Sequence, residues 1–338
     1  MSHSIALQFE DGVTRIINCG DDELLSDAAY RAKINIPLDC RDGACGTCKC
    51  YCEAGDYEQG FYIEDALTED EAGQGYVLSC QMKPRSDCVV LVPASSHACK
   101  TQVATYNSSL IELSRDSSTT VVFKLQVEDP LKFLPGQYVN IKVPGTKYSR
   151  SYSFSSSPNQ TELGFLIRDV PDGLMSRYMR NEATVGEQFE LDGPYGTFYL
   201  RPTIRPILML AGGTGLAPFL SMLRWIQDNR TDQPITLVYG VNSEDDLVEL
   251  DELEMIKQEV SEFDYFTVVV DEKSGHPKTG YVTNHLTEDM MHDGDIDVYL
   301  CGPPPMVEAV RVWFKEAGIE PRSFFFEKFT STNESNEP

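Results

Sequence analysis

The stretch "LDCRDGACGTCKCYCEAG" (residues 38–55) holds five of the ten cysteines of the 338-residue chain. Three of them follow the spacing Cys40-x4-Cys45-x2-Cys48, and Cys80 lies further on in "VLSCQ". Among the residues between them, Gly43, Ala44, Gly46 and Thr47 are small, and glycine in particular lets a loop wrap closely around a bound group. Clustered cysteines in a reducing compartment usually bind metal or do chemistry. This loop therefore decides what the first part of the chain is.

The cysteine spacing predicts a [2Fe–2S] cluster, because two irons bridged by two sulfides need four thiolate ligands and are held at this spacing. The predicted ligands are Cys40, Cys45, Cys48 and Cys80. A zinc site is the less favoured alternative, since zinc prefers two Cys-x2-Cys pairs and the loop has one. A thioredoxin-like redox pair needs a helix N-terminus after a strand, which the glycine-rich loop does not offer.

Two further cysteines of the stretch are predicted to pack in a core and not to bind metal. Cys50 and Cys52 alternate with Lys49 and Tyr51, as the residues of a β-strand do.

The region around the loop resembles plant-type ferredoxins, and this resemblance implies an α+β domain of the β-grasp type. We therefore assign residues 1–96 to a ferredoxin domain and the polar residues 97–103 to a linker. The first residues, "MSHSIALQFE", alternate apolar and polar side chains and predict an edge strand.

Acidic residues dominate the composition, since 28 Lys and Arg against 53 Asp and Glu give a formal net charge of −25. Such a surface argues against nucleic acid and anionic membrane as partners, because both are bound through basic patches. The N-terminal residues lack the apolar core of a signal peptide, and no apolar run is long enough to span a membrane. We therefore expect a cytoplasmic location with reduced thiols.

Two more composition regimes follow the linker. Residues 104–203 hold short strands separated by turns, such as "VVFKLQV", "QYVNIKV" and "ELGFLIR", which predict an antiparallel β-barrel or sandwich. In residues 204–338, strands such as "PILMLAGG" alternate with helices such as "APFLSMLRWIQDN". This alternation predicts an α/β domain with a doubly wound parallel sheet.

The segment "RSYSFSS", which begins at Arg150, carries residue types suited to a flavin dinucleotide. Arg150 offers a planar positive charge to a phosphate, Tyr152 a flat aromatic face, and Ser153 a small hydroxyl. In "IRDVPDGLMSRYM", Gly173 and Ser176 stand at the predicted start of a helix, whose unpaired amides bind phosphate.

The chain from Phe133 onward resembles the ferredoxin–NADP reductase superfamily, matching in order "PGQY", "RSYS", "GLMS", "GPYG", "GGTGLAP", "CGPPPM" and "FEKF". The resemblance implies an FAD-binding antiparallel β-barrel at 104–203 and a nicotinamide-binding domain at 204–338, with FMN as the alternative flavin. It also implies that Ser153 lies near flavin N5. By the same resemblance, the flavin contacts are Arg150, Ser151, Tyr152, Ser153, Arg168, Gly173, Met175 and Ser176.

Two loops are predicted to hold the nicotinamide cofactor. "LAGGTGLAP" (210–218) lies between an apolar strand and a helix, where its glycines let the backbone approach a pyrophosphate. It departs from G-x-G-x-x-G, because position 218 is a proline, which suits a first helical turn. "CGPPPM" (301–306) ends another strand, and the resemblance places Cys301 beside the nicotinamide as a positioning residue; a packing thiol is the alternative. The predicted contacts are Gly213, Thr214, Gly215, Cys301, Gly302 and Pro303.

The resemblance adds two residues from "FFFEKF" (324–329). It implies that Glu327 lies near the nicotinamide and that Phe329 approaches the flavin, whereas strand packing is the alternative for the aromatic side chains. The predicted catalytic residues are therefore Ser153, Cys301 and Glu327.

Acidic residues follow the second strand of the nicotinamide domain. "VNSEDDLVEL" carries Glu244, Asp245 and Asp246, and no Arg or Lys follows until Lys257. Acids at this place repel the 2′-phosphate of NADPH and tolerate the free ribose of NADH. The sequence therefore predicts NADH, with Glu244 and Asp246 among the cofactor-binding residues.

The three modules together have one chemical logic. NADH delivers two electrons as a hydride, an iron–sulfur cluster accepts one at a time, and a flavin converts between them. The module order resembles the reductase components of bacterial ring-hydroxylating oxygenases, closest to the benzoate and toluate type. This implies a path from NADH through FAD and [2Fe–2S] to a Rieske-type terminal oxygenase. The alternatives are a reductase for a diiron monooxygenase of the phenol or methane type, and a bound electron carrier without turnover, against which the nicotinamide loops argue.

Overall fold

The computed structural model describes residues 2–38, 40–100, 103–115 and 117–329. The chain forms two compact units, Met1–Ala104 with Gly193–Thr197, and Thr105–Asp192 with Phe198–Pro338. In the predicted linker, Ala98–Lys100 form a 3-10 turn, while residues 101 and 102 lie outside the described residues. The predicted boundaries at 96, 103 and 203 stay predictions.

The first unit is built on a mixed five-stranded sheet in the order β2-β1-β7-β3-β5. Its strands are β1 (Ser2–Phe9), β2 (Thr14–Gly20), β3 (Lys49–Ala54), β5 (Tyr76–Leu78) and β7 (Cys88–Val92). A separate pair joins β4 (Tyr57–Gln59) to β6 (Met82–Pro84). Helix α1 (Leu25–Arg31) buries Leu25 and Ala28, and α2 (Glu69–Gly73) is a short second helix. The mixed sheet and its helices confirm the predicted α+β class.

The prediction of an edge position for β1 is wrong. Strand β1 pairs antiparallel with β2 on one side and parallel with β7 on the other, so β2 forms the edge. The alternating pattern of β1 reports that one face of the strand is buried, with Ile5 and Leu7 fully inside. It does not report whether both sides of the strand are paired.

Cys50 and Cys52 lie on the buried face of β3, where they are 2% and 7% exposed, and the residues that alternate with them, Lys49 and Tyr51, are half-buried. This burial agrees with the packing role predicted for the two thiols. All ten cysteines of the chain are free thiols, so no disulfide connects them.

The second unit begins with six strands in the order β11-β10-β13-β8-β9-β12. They are β8 (Ala104–Ser114), β9 (Thr120–Leu131), β10 (Tyr138–Lys142), β11 (Ser149–Ser153), β12 (Gln160–Arg168) and β13 (Gln188–Tyr195). Beyond the end of β11, the Ser155 amide donates to the Gly164 carbonyl of β12 at 2.8 Å, which joins the two outer strands and closes the barrel. Phe123, Phe154 and Phe165 fill its core, and α3 (Leu174–Asn181) packs against it. The predicted antiparallel barrel is confirmed, with β8 as a strand that the sequence did not reveal.

The rest of this unit is a five-stranded parallel sheet in the order β16-β15-β14-β17-β18. The strands are β14 (Ile207–Gly212), β15 (Ile235–Val241), β16 (Phe263–Val269), β17 (Asp297–Gly302) and β18 (Ser323–Lys328). Helices α4 (Leu216–Asn229) and α5 (Leu250–Glu259) cover one face, and α6 (Pro304–Ala317) covers the other. The predicted doubly wound sheet is confirmed.

The order of the parallel strands reverses between β14 and β17. In open α/β sheets, ligands bind in the crevice outside the carboxyl ends of the strands at such a switch point. Both predicted nicotinamide loops begin there, since one follows β14 and the other ends β17. Within the part of the chain that the structure describes, no helix has the length and apolar character needed to cross a bilayer.

Candidate functional site

The cysteine loop directs backbone amides at a thiol. The amides of Ala44 and Cys45 both donate to Cys40 Sγ, at 3.4 and 3.3 Å. Gly43 and Gly46 have φ of +86° and +72°, which turn the chain within this loop. Amides aimed at sulfur stabilise thiolates and metal-bound sulfur, so the loop suits an iron–sulfur cluster.

Glycine is required at position 43 by the neighbouring backbone as well as by its own conformation. A Cβ added to Gly43 would stand 2.3 Å from the Phe61 carbonyl oxygen, well inside van der Waals contact. One added to Gly46 would stand 3.0 Å from the Ala66 carbonyl oxygen. The cysteine loop is therefore seated tightly on the segment 61–66.

The four predicted ligand thiols form two pairs. A hydrogen bond from Cys40 lowers the pKa of Cys45 to about 6, and the same bond raises the pKa of Cys40. A hydrogen bond from Cys48 lowers the pKa of Cys80, while that bond and burial raise the pKa of Cys48. Among the described residues, no group of three or more His, Cys, Asp or Glu side chains is arranged around a single ion. The two pairs would supply the four thiolates that a [2Fe–2S] cluster needs.

Strand β11 carries the predicted flavin residues along the edge of the barrel sheet. Its residues pair with β10, so that Tyr152 stands opposite Val139 and Ser153 opposite Tyr138. Burial raises the pKa of the Tyr152 phenol, which stays neutral. Ser153 is 5% exposed. The side chains of Arg150 and Tyr152 lie on the other side of the strand from the exposed Ser151, whose hydroxyl donates to Asn140 Oδ1 at 2.7 Å.

The predicted phosphate site lies at the start of α3, which is confirmed as a helix with Gly173 as its N-cap. The Ser176 hydroxyl donates to the Val170 carbonyl at 3.1 Å, and it also accepts from the Val170 amide. Met175 is 1% exposed and packs in the barrel core. These two residues thus offer a ligand their backbone amides, whereas Arg168 at the end of β12 is exposed and presents its side chain.

A buried hydroxyl in the segment "RSYSFSS" has no hydrogen-bond partner among the described residues. It is Oγ of Ser156, just beyond β11. A buried polar group without a partner is costly, and a bound ligand with a polar edge would satisfy it. The donors, the edge strand and this hydroxyl together fit a bound flavin.

The two nicotinamide loops touch one another through glycines. A Cβ on Gly215 would stand 2.3 Å from the Cys301 carbonyl oxygen, and one on Gly212 would stand 2.9 Å from Pro303 Cδ. Gly213, in contrast, has φ of +57° and open space where a Cβ would point, which leaves room for a ligand to approach the backbone. The glycines of this loop therefore serve loop–loop packing at two positions and ligand access at a third. Thr214, between them, is half-buried.

The three predicted catalytic residues meet at the carboxyl end of the parallel sheet. Cys301 on β17 pairs with Glu327 on β18 in the strand register. Ser153 of the barrel donates from its hydroxyl to Glu327 Oε2 at 3.3 Å, so the flavin strand reaches the nicotinamide domain there. Burial, with the charge of Glu327 second, raises the pKa of Cys301, which is fully buried. A thiol with a raised pKa stays protonated at neutral pH and is a poor nucleophile; the positioning role of Cys301 stays a prediction.

The remaining predicted residues lie in two places, after β18 and in the turn after β15. The Phe329 amide donates to the Gly302 carbonyl at 2.9 Å, and the Phe329 side chain packs against the core of the parallel sheet. Glu244 is exposed on a 3-10 turn after β15. Asp246, in the same turn, uses both carboxylate oxygens for bonds within the protein, one of them from Thr119 of the barrel. Thr119 lies 127 residues away in sequence and no motif marked it.

Family models match all three parts of the chain. The model for the 2Fe-2S iron-sulfur cluster binding domain matches residues 8–85, that for the oxidoreductase FAD-binding domain residues 108–199, and that for the oxidoreductase NAD-binding domain residues 209–312.

Curated relatives match over nearly the whole length. The 2-halobenzoate 1,2-dioxygenase electron transfer component of Burkholderia cepacia is 54% identical over 336 residues, covering 98% of this chain and 99% of that one. The toluate 1,2-dioxygenase electron transfer component of Pseudomonas putida is 50% identical over 335 residues, covering 98% and 100%. The chain belongs to the family of dioxygenase electron transfer components. It is an oxidoreductase of the ferredoxin–NAD reductase type, with domains for [2Fe–2S], FAD and NAD(H).

Solved structures agree with this electron transfer component in fold. The crystal structure of an Amycolatopsis cytochrome P450 reductase superposes with a TM-score of 0.74 at 30% identity, covering 97% of this chain and 99% of that one. The three domains provide a path for electrons from NAD(H) to FAD to the cluster. On this path, the flavin converts a hydride into single electrons.

Proposed function

We propose that this reductase carries electrons from NADH through FAD and the [2Fe–2S] cluster to the Rieske centre of a ring-hydroxylating oxygenase acting on a benzoate-type aromatic acid. The hydrogen bond from Ser153 to Glu327 beside Cys301 is the observation that carries the first half, because it joins the flavin strand to the nicotinamide crevice. The acceptor is proposed from the two relatives that share half or more of their residues with the chain, both dioxygenase components.

We propose specific roles for the residues of the two centres. Cys40, Cys45, Cys48 and Cys80 would hold the cluster, with Cys40 beside Cys45 and Cys48 beside Cys80. Cys301 and Glu327 orient the nicotinamide against the flavin. Ser153 holds its hydroxyl near flavin N5. The FAD contacts are the backbone of Gly173 to Ser176 and the side chains of Arg150, Tyr152 and Arg168.

The acids after β15 support NADH over NADPH as the donor. Glu244 and Asp245 are exposed on the turn, and the formal charge of the turn disfavours a 2′-phosphate. We propose a reducing location such as the cytoplasm, because the predicted cluster ligands must stay reduced.

Reconstitution tests this function. The purified reductase, loaded with all three cofactors, is combined with a benzoate-type Rieske oxygenase and, separately, with the hydroxylase of a diiron monooxygenase. We expect NADH-dependent product from the first mixture and at least tenfold less from the second. Product only from the diiron mixture would replace the proposed acceptor. Absence of NADH-driven cytochrome c reduction by the reductase alone would refute the whole path.

A further inference from the structure

The turn Glu244–Asp246, here called the acidic turn, is held from two sides through one carboxylate. Asp246 Oδ2 accepts from the amide and from the hydroxyl of Ser243, each at 2.9 Å. Asp246 Oδ1 accepts from the hydroxyl of Thr119. Both oxygens of the carboxylate therefore already serve protein donors, which leaves the side chain of Asp246 poorly placed as a ribose ligand.

The bond from Thr119 crosses from the flavin barrel to the nicotinamide domain. A second bond crosses beside it, since the Ser117 hydroxyl donates to the Asp245 carbonyl at 3.0 Å. The barrel side is itself fixed, because Arg180 of α3 donates to the Ser117 carbonyl at 3.0 Å. The Asp169 amide also donates to the Thr119 carbonyl at 2.7 Å. The acidic turn is thus bonded to Ser117 and Thr119, which are themselves hydrogen-bonded to the rest of the barrel domain.

The electrostatics of the turn make these donors important. The turn carries three consecutive carboxylates, which repel one another. Burial by itself would raise the pKa of Asp246. Hydrogen bonds from Thr119 and Ser243, together with the positive charge of Arg168, outweigh burial and lower that pKa, so Asp246 is ionised at neutral pH. Hydrogen bonds to a charged group are among the stronger ones, and losing one frees the turn to relax.

We propose that Thr119 locks the acidic turn onto the flavin barrel, and that Asp246 is a positioning residue for dinucleotide selection. The lock holds the charges of Glu244 and Asp245 where they repel the 2′-phosphate of NADPH. This inference rests on the proposed function in taking NADH as the donor. It assigns Asp246 to the bond between the flavin barrel and the nicotinamide domain. Glu244 is then the acid that faces the adenosine ribose of the dinucleotide.

Thr119→Val tests the lock, because valine keeps the side-chain shape and lacks the hydroxyl. Thr119→Ser keeps the donor. Thr184→Val is the matched control, since Thr184 donates to Glu187 Oε1 at 3.0 Å elsewhere on the barrel. The first readout is the ratio of kcat/KM for NADH to kcat/KM for NADPH, with ferricyanide as acceptor. We expect this ratio to fall about fivefold to tenfold in Thr119→Val, less than the full strength of one charge-assisted bond because Ser243 still holds Asp246. It should hold within about twofold in the other two variants.

The second readout is hydrogen exchange of residues 243–247 in the FAD-loaded protein without dinucleotide. We expect exchange of this segment to quicken about tenfold in Thr119→Val and not in Thr184→Val. If Thr119→Val fails to hold FAD, Asp246→Asn replaces it, with the same two expectations. An unchanged ratio together with unchanged exchange overturns the lock. A wild-type preference for NADPH contradicts the proposed donor instead, and the exchange measurement then decides the lock by itself.

Discussion

Cysteine thiols stand at both ends of the proposed electron path, and their surroundings differ. In the cysteine loop, the thiols are paired and two amides point at Cys40; the hydrogen bond between Cys40 and Cys45 lowers the pKa of Cys45 to about 6 and raises that of Cys40. At the nicotinamide crevice, Cys301 is fully buried beside Glu327, and its pKa is raised. The first environment therefore groups thiols with one another and with amide donors, as a metal centre needs, and the second isolates one neutral thiol in an apolar wall.

The difference shows that neighbours, and not residue type, decide what a cysteine does. Cys50 and Cys52 stand two and four residues beyond Cys48, yet they lie on the buried face of β3. Burial raises the pKa of Cys52 to about 12. Cys52 also hydrogen-bonds a second thiol, Cys88, so a thiol partner by itself does not mark a ligand; the cysteine loop adds backbone amides aimed at sulfur.

The largest expected effect comes from removing a thiol of the second pair. Cys80→Ser leaves Cys48 without its partner, and we expect loss of NADH-driven cytochrome c reduction by at least a hundredfold. Oxidation of NADH by a two-electron acceptor should stay within about twofold of wild type, because the flavin and nicotinamide domains do not use Cys80. Stopped-flow absorbance checks both activities.

Cys50→Ala is the matched control for that experiment. Its thiol is equally buried but packs in β3, so the variant should keep two irons and two sulfides per chain. Cluster loss in Cys50→Ala, or a normal cluster in Cys80→Ser, would break the distinction between ligand and packing thiols.

The next largest effect is expected at the contact between strand β11 and the nicotinamide crevice. Ser153→Ala removes the hydroxyl that donates to Glu327 Oε2, and we expect flavin reduction by NADH to slow about tenfold to hundredfold, the cost of one bond to a charged group. In the double variant with Glu327→Gln, the two effects should not add, because both changes break one interaction. Ser149→Ala, on the same strand and exposed, is the control and should reduce at the wild-type rate. Additive losses would mean that the two residues act separately.

A smaller effect is expected from disturbing the contact between the cysteine loop and segment 61–66. Gly43→Ala places a methyl group 2.3 Å from the Phe61 carbonyl oxygen at a φ of +86°. We expect cluster content to fall several-fold, measured as iron and sulfide per chain. Gly12→Ala has a similar φ of +76° and open space around the added atom, so it should keep its cluster and cost about 1 kcal/mol of stability. Equal behaviour of the two variants would show that contact with Phe61 is unimportant.

The smallest effect is the pH dependence of the nicotinamide domain. The raised pKa of Cys301 means that its contribution to folding is complete below the ordinary thiol pKa of about 8.5 and is lost as the pH rises above it. We expect urea midpoints, followed by tryptophan fluorescence, to fall above pH 8.5 at fixed FAD. Cys301→Ala should lessen the slope by as much as about 1.4 kcal/mol per pH unit. An equal slope in both proteins would mean that Cys301 ionises as freely in the folded state as in the unfolded one.

Motifs and periodicity predicted most of this fold, because local patterns carry it. The spacing of Cys40, Cys45 and Cys48 predicted the cluster domain, and the change from short strands to strand–helix alternation predicted the barrel and the parallel sheet. The roles of the individual site residues stay predictions that the experiments above test.

What the sequence did not predict depends on long-range pairing. The alternating pattern of β1 is satisfied by one buried face, so its inner place in the sheet was missed. Strand β8 escaped because its polar residues hide the alternation in "ATYNSSLIELS". The bond of Asp246 to Thr119 joins residues 127 apart, and only the folded chain brings them together.

Anaerobic reduction of the complete reductase by NADH tests the central claim most directly. Absorbance followed from milliseconds onward should show the flavin band bleach first and the broad iron–sulfur band bleach after it, and the Cys80→Ser protein should show the first change without the second. Bleaching of the cluster before the flavin, or a cluster that stays oxidised while the flavin is fully reduced, would contradict the path from nicotinamide through FAD to the cysteine loop.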